Sequence, residues 1–386
     1  MRVLFIHNKY LEYGGEDAVV RDESALLRER GIEVQQYERD NADIAHLSRL
    51  RVAVDTVWSN RSAREVGAVL DRFRPDIVHC HNTFPLVSPS VYQTAGVRNI
   101  PVVQSLHNFR LVCPQAFLLR DDKPCEACLG ALPWRGVVHR CYRGSAAQSA
   151  VLVAMIGVNR MLGTYQKSVT RYVALNDFCR RKFIQSGLPA DRIVVKPNFV
   201  DLPSILVDTP RRGGLFVGRI SREKGIRVIG EAYRSMPAGE RTLDVIGQGI
   251  EEQWLDDIDG VRMLGRKSSD EIYQAMSHAA YLLMPSIWYE NFPRVLVEAF
   301  GCGLPVIASR LGAMAELVED GVTGLLVEPG DAVDLAHKIA WADANPKVMR
   351  EMGRTARLRY EQKYTASANF ESLTSIYREA IAEARA

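Results

Sequence analysis

No apolar run in this 386-residue chain reaches the roughly 20 residues that a membrane-spanning helix needs. The uncharged run Gly144–Asn159 (GSAAQSAVLVAMIGVN) has 16 residues between Arg143 and Arg160. It reads as a buried helix or one lying in a membrane interface, burial being the default. The N-terminus, MRVLFIHNKY, does not resemble a secretory leader, because its apolar run stops after four residues at His7 and reads as a first β-strand. Also missing are simple repeats, low-complexity tracts, a Gly-Lys-Ser/Thr phosphate loop, and a G-x-G-x-x-G after the first strand, where HNKYLEYGGED stands. These absences argue against a P-loop site and a Rossmann dehydrogenase. Cysteine is sparse and odd in number, seven in all, which without a leader points to a reducing, cytoplasmic setting.

A hydrophobic content of 47% and a charged content of 25% are ordinary globular values. The length exceeds one common core and suggests two domains. The net charge of +3 conceals an asymmetry, +8 over residues 1–200 and −5 over 201–386, with 14 basic and 5 acidic residues in 101–200. A basic half suits an anionic partner: a phosphorylated substrate, an acidic membrane surface or nucleic acid.

Short β-branched runs alternate with helical patterns. Val3–Ile6, Ile32–Tyr37, Asp76–Cys80, Pro101–Leu106, Arg171–Leu175 and Ile193–Lys196 read as strands, and Glu16–Arg30 as a helix. After KPNFVDLPSILVDTPRRGG (196–214) the pattern restarts with Leu215–Val217, Leu243–Ile246, Val261–Leu264, Tyr281–Met284, Val306–Ala308 and Gly324–Val327. Such alternation predicts an α/β protein with two Rossmann-like, doubly wound domains facing across a cleft. The expected limits are 1–200, with a cysteine-rich insertion at 111–145, then 201–364, then a helix over 365–386 that packs back on the first domain.

Two stretches carry candidate chemistry. In LFVGRISREKGI (Leu215–Ile226) a strand ends at Gly218, Arg219 and Lys224 follow, and Gly225 opens a helix. Two cations beside a helix N-terminus suit a pyrophosphate. In SIWYENFPRVLVEAFGCGLPVIAS (Ser286–Ser309), Pro293 is placed in the first turn of a helix ending near Phe300. Glu290 then lies in the loop before that helix and Glu298 inside it, among Val295, Leu296, Val297, Ala299 and Phe300. A carboxylate in apolar surroundings needs hydrogen-bond donors, which sugar hydroxyls supply. The N–H groups near Asn291 and Phe292 suit an anionic phosphate.

Taken with GGED (Gly14–Asp17), SLHN (Ser105–Asn108), KPNFVD (Lys196–Asp201), GCGLPVIAS and EDGVTGLLVEPGD (Glu319–Asp331), these motifs resemble the retaining, GT-B-fold glycosyltransferases of family 4, in register along nearly the whole chain. The resemblance implies a nucleoside-diphosphate sugar donor held by the C-terminal domain, with no metal or other cofactor in catalysis. Arg219 and Lys224 would bind the diphosphate, Glu298 the ribose and Glu290 the sugar. His107 would lie near the donor sugar, Gly14 and Gly15 would let the first loop approach the ligand, and Glu316 in GAMAEL matches a position near the nucleotide sugar. His79 and His81 point to one side of a strand end and read as structural or cleft-lining.

Cys113, Cys125, Cys128 and Cys141 lie close in sequence, the middle two as C-x2-C. The set is compatible with a structural zinc, a reduced thiol cluster or a disulfide, and zinc is the expectation tested below. The leading functional expectation is transfer of a hexose-type sugar to a glycan or lipid-linked acceptor in surface polysaccharide or glycoconjugate synthesis, at the inner membrane face, with no nucleic-acid partner. Alternatives are a GT-B nucleotide-sugar epimerase and a non-catalytic nucleotide-sugar-binding protein.

Overall fold

A computed structural model describes residues 1–202, 210–237 and 241–385; part of the expected interdomain stretch, 203–209, lies outside the described residues. The chain divides into two compact units: Met1–Leu118, Cys125–Asn198 and Asn369–Ala386 in the first, Leu119–Pro124 and Phe199–Ala368 in the second.

The first unit is built on strands β1 (Arg2–Lys9), β2 (Glu33–Asp40), β3 (Ile77–Asn82), β4 (Val102–Leu106), β5 (Arg171–Ala174) and β6 (Ile193–Val195), in the order β2-β1-β3-β4-β5-β6. Every pairing is parallel. Central strands of a parallel sheet are covered on both faces, which is why β3 and β4 are buried at every residue. Val3, Phe5, Ile77, Val103 and Val173 pack with Val20 and Leu27 of the helix Gly15–Glu29, and with Leu373, Ile376 and Tyr377 of the helix Ala366–Arg385. Each such large apolar side chain contributes about 1.5–3 kcal/mol on burial. The helix Ala146–Met161, within which most of the 16-residue uncharged run falls, buries one face through Leu152, Met155 and Ile156.

The second unit contains β7 (Gly214–Val217), β8 (Leu243–Ile246), β9 (Val261–Gly265), β10 (Tyr281–Met284), β11 (Val306–Ser309) and β12 (Gly324–Val327), again all parallel, in the order β9-β8-β7-β10-β11-β12. The order reverses between β7 and β10, and between β1 and β3 in the first unit. In open parallel sheets the loops leaving such switch points diverge to opposite faces, and the crevice between them receives ligands. The motifs GRISREKG and SIWYEN leave the C-terminal ends of β7 and β10.

Candidate functional site

The two motifs of the second unit meet. Gly225, at φ +79°, caps the helix Ile226–Ser235, and a Cβ there would stand 2.0 Å from the Pro285 carbonyl oxygen. Only glycine allows that approach. Beside it the Ile287 N–H donates to the Glu223 carbonyl at 3.0 Å, tying the two loops together. Lys224 and Glu290 thereby come within 2.6 Å, Nζ to Oε1. Ser286 Oγ and Trp288 Nε1 donate to that same Oε1, at 2.9 and 3.0 Å. Three donors converge on one carboxylate oxygen of a residue only 5% exposed. Oε2 takes part in none of these bonds and remains as an acceptor, with the Lys224 ammonium alongside.

Arg219 is more open. Its side chain is 60% exposed and pairs with Glu223 at 2.6 Å. An exposed pair of this kind is worth at most about 1 kcal/mol, so a phosphate can displace the carboxylate. Asn291 and Phe292 occupy the turn before the helix Arg294–Gly301. Pro293 is the N-cap of that helix, one position earlier than its placement in the first turn. Glu298 differs from its sequence reading in a second way. Its apolar neighbours Leu296, Val297, Ala299 and Phe300 are buried while Glu298 itself is half-buried. Successive helical residues face about 100° apart, so apolar neighbours in sequence are not neighbours around the carboxylate. The enclosed carboxylate is Glu290. Glu316 lies on the short helix Met314–Leu317 that follows β11 and is exposed.

A second group of polar residues lies in the first unit. His81, Asn82, Phe84, His107, Asn108 and Arg110 line a small recess at the ends of β3 and β4. His107 Nε2 is 3.0 Å from His81 Nδ1, and burial pushes the His107 pKa down to about 3. Burial also lowers Arg110, whose guanidinium lies 4.6 Å from the Phe84 ring. Gly14 is the N-cap of the helix Gly15–Glu29 at φ −128°, and a Cβ there would meet nothing closer than 3.8 Å. The packing of the unit therefore does not require glycine at position 14.

Sequence reasoning valued GGED for its glycines and missed Glu16. Its carboxylate accepts from Tyr10 Oη at 2.8 Å and Asn108 Nδ2 at 3.3 Å. Desolvation pushes its pKa up to about 7, against the opposing pull of His7 and of those hydrogen bonds. The signal was present, an acid beside the glycines, but its partner Asn108 lies 92 residues away.

The zinc expectation is not supported. Cys113 and Cys128 are buried, Cys125 and Cys141 half-buried, and none of the four is in a disulfide. Burial, reinforced by the other three thiols, pushes Cys128 up to about 11, so the four share a neighbourhood. A tetrahedral site with Zn–S near 2.3 Å needs sulfurs about 3.8 Å apart. Among the described residues, the group whose donor atoms all lie within 4.8 Å of one another is Glu23, His79 and His81. The insertion is irregular, with Ala116, Leu118, Asp121 and Asp122 at positive φ, and among the described residues its thiols do not form a group within 4.8 Å of one another.

Residues 205–359 match the family described as "Glycosyl transferases group 1", and residues 14–198 match the "Glycosyl transferase 4-like domain". The chain belongs to the group 1 glycosyltransferases. Among curated relatives of this glycosyltransferase-family chain, phosphatidyl-myo-inositol mannosyltransferase of Mycobacterium leprae is 31% identical, over 60% of this chain and 65% of that one. An uncharacterized glycosyltransferase of Methanocaldococcus jannaschii is 28% identical, over 58% and 66%. The chain thus spans just under two thirds of the length of these relatives. Among solved structures, Anabaena HepE in complex with UDP-glucose superposes with a TM-score of 0.66 at 20% identity, covering 97% of this chain and 100% of that one. Sucrose-phosphate synthase from Thermosynechococcus elongatus gives 0.71 at 18%, covering 99% of each. These likenesses show the fold, which is GT-B.

Proposed function

We propose that this group 1 glycosyltransferase moves a hexose-type sugar, with retention of anomeric configuration, from a nucleoside-diphosphate sugar to a glycan or lipid-linked acceptor. The observation that carries the reading is the Lys224–Glu290 pair at the switch point, with three donors fixing Oε1 and Oε2 left to accept. Lys224 and Arg219 neutralise the diphosphate as it leaves, the helix dipole of Ile226–Ser235 adds to them, and no divalent metal is needed there. Glu290 Oε2 accepts from a hydroxyl of the transferred sugar, Glu298 from the ribose, and Asn291 and Phe292 meet the phosphate through their N–H groups. His107 is a further residue proposed to bind the sugar. The binding of UDP-glucose by HepE favours a uridine nucleotide.

The acceptor reading rests on a surface of the first unit. Residues 127–176 contain no acidic residue and six Lys or Arg. Within them Leu132, Trp134, Val138, Val158, Met161 and Leu162 are exposed. Leu132 approaches the helix Ala146–Met161 at Gly157, and Arg160 Nη1 donates to the Ala131 carbonyl at 2.7 Å, so these apolar groups lie on adjoining elements. Exposed apolar side chains on a segment with basic and no acidic residues suit the interface of an anionic membrane, where a lipid-linked acceptor resides.

The experiment is a screen of nucleotide sugars by thermal shift, followed by transfer assays with the best donor. A donor that stabilises the protein and passes its sugar to an acceptor, with the α- or β-configuration kept, supports the reading. Conversion of the free donor sugar without acceptor would instead reveal an epimerase. Sedimentation with anionic but not zwitterionic vesicles tests the membrane part.

A further inference from the structure

The recess of the first unit holds a cation to which donor binding gives no role. Arg110 stands half-buried in its wall. The guanidinium lies 4.6 Å from the centre of the Phe84 ring and 5.2 Å from that of Tyr142, and the two rings meet edge to face at 5.9 Å. Both rings pack against Leu152, Met155 and Ile156 of the helix Ala146–Met161. Nη1 donates to the Pro114 carbonyl. The loop is fixed as well: Asn108 Oδ1 accepts the Arg110 backbone N–H at 2.9 Å, and Asn108 Nδ2 donates to Glu16 at 3.3 Å.

These contacts hold the guanidinium plane but leave its charge unmatched. Among the described residues Arg110 pairs with no carboxylate, and its Nε and Nη2 have no protein acceptor. Glu16 acts on it only from a distance, and desolvation raises that carboxyl to about 7, so it is half-protonated near neutrality. An arginine that only braced the fold would spend its donors on protein acceptors. Nε and Nη2 share one edge of the guanidinium, the edge that meets two oxygens of one anionic group. A second guanidinium, that of exposed Arg143, stands 5.4 Å from the same Tyr142 ring and also pairs with no carboxylate among the described residues. Two cations on one ring suit a group of more than one negative charge, which a phosphate monoester or a diphosphate carries and a carboxylate does not.

We propose that the recess at Phe84, Asn108 and Arg110 is a phosphoryl-binding site, in which Arg110, with Arg143 beside it, holds the phosphate monoester or diphosphate of the acceptor. The site rests on the transfer proposed above and narrows its acceptor to a phosphorylated one, soluble or lipid-linked. Tyr142 and Arg143 belong to the segment 127–176, which has no acidic residue to compete for the cations.

Inorganic phosphate is the probe, titrated calorimetrically into the full chain carrying Lys224→Ala, so that the donor loop does not compete. That protein should bind phosphate, and adding Arg110→Gln should weaken binding about tenfold or more, as for loss of a charge-assisted pair. Arg110→Lys keeps the charge without the fork and should recover only part of the affinity. Arg143→Gln, a change at the exposed surface, should weaken binding about threefold without affecting the fold. In transfer assays with Lys224 intact, Arg110→Gln should raise the acceptor KM about tenfold and leave the donor KM unchanged. Cosedimentation with phosphatidylcholine vesicles containing phosphatidic acid, lost in Arg110→Gln, marks a lipid source. Phosphate binding through Arg110 with vesicle binding indifferent to it marks a soluble source, and either upholds the site. Equal phosphate affinity after Arg110→Gln, an unmoved acceptor KM, or acetate bound as tightly as phosphate would overturn it. The titrations need no transfer, so equal phosphate affinities leave the donor site standing. Phosphate held through Arg110 by a protein that transfers no sugar would instead uphold the anion site and refute the transfer.

Discussion

Glu290 Oε1 lies 2.6 Å from Lys224 Nζ across 66 residues of sequence, and Ser286 and Trp288 donate to the same oxygen. The pair couples a cation suited to the leaving diphosphate with a carboxylate suited to the sugar. Glu290→Gln keeps the shape but weakens acceptance of a hydroxyl and leaves Lys224 without its counter-charge. Transfer should fall about 10²-fold or more, a loss typical of removing one preorganised electrostatic contact, with the circular dichroism spectrum unchanged.

Gly225 holds that pair in place. An alanine there must adopt φ near +79° and places Cβ 2.0 Å from backbone oxygen. Left-handed backbone and the forced shift together should cost more than about 2 kcal/mol. Thermal and urea unfolding of Gly225→Ala should show it, along with lost transfer in the fraction that folds. An unshifted melting temperature would contradict the close approach.

Glu298 is half-buried rather than enclosed, so Glu298→Ala should fold, with its circular dichroism spectrum unchanged. If it accepts ribose hydroxyls, donor affinity should fall about tenfold, the equivalent of roughly 1.4 kcal/mol. Titration calorimetry with the donor measures that fall.

Glu16 supplies a pH signature. Its pKa rises on folding from 4.5 to about 7, so the folded state binds the proton more tightly. The associated stability is present below 4.5 and is lost as pH rises through about 7. Glu16→Gln should flatten that decline by roughly 1–2 kcal/mol between the two pH values, discounted for the partial exposure of the residue. Denaturant titrations at pH 5 and pH 8 check it, and identical slopes in both proteins would refute the shift.

Chelation should leave transfer unchanged, because Lys224 and Arg219 supply the charge that a divalent ion would bring. Activity lost to a chelator and restored by magnesium would contradict that assignment.

The twelve strands of the two parallel sheets were legible because parallel strands covered on both faces are written as short β-branched runs, and those runs are local. Strand ends were less so: β1 continues through His7, Asn8 and Lys9, polar residues held by pairing to β2. The two motifs of the second unit were legible as stretches, but their junction was not. It depends on Gly225 meeting Pro285 and on a backbone bond between Glu223 and Ile287. Glu298 misled because apolar residues adjacent in sequence occupy other faces of the helix. The Arg110 site draws on the loops after β3 and β4 and on the stretch before the helix Ala146–Met161, and no spacing announces it.

The central claim is that the donor site is built on Lys224 and Glu290. Its most direct test is transfer from the best nucleoside-diphosphate sugar, measured for wild type and Lys224→Ala at equal folded concentration. The wild type should transfer the sugar and the variant should be slower by about 10²-fold or more. Near-equal rates in the two proteins would contradict the account.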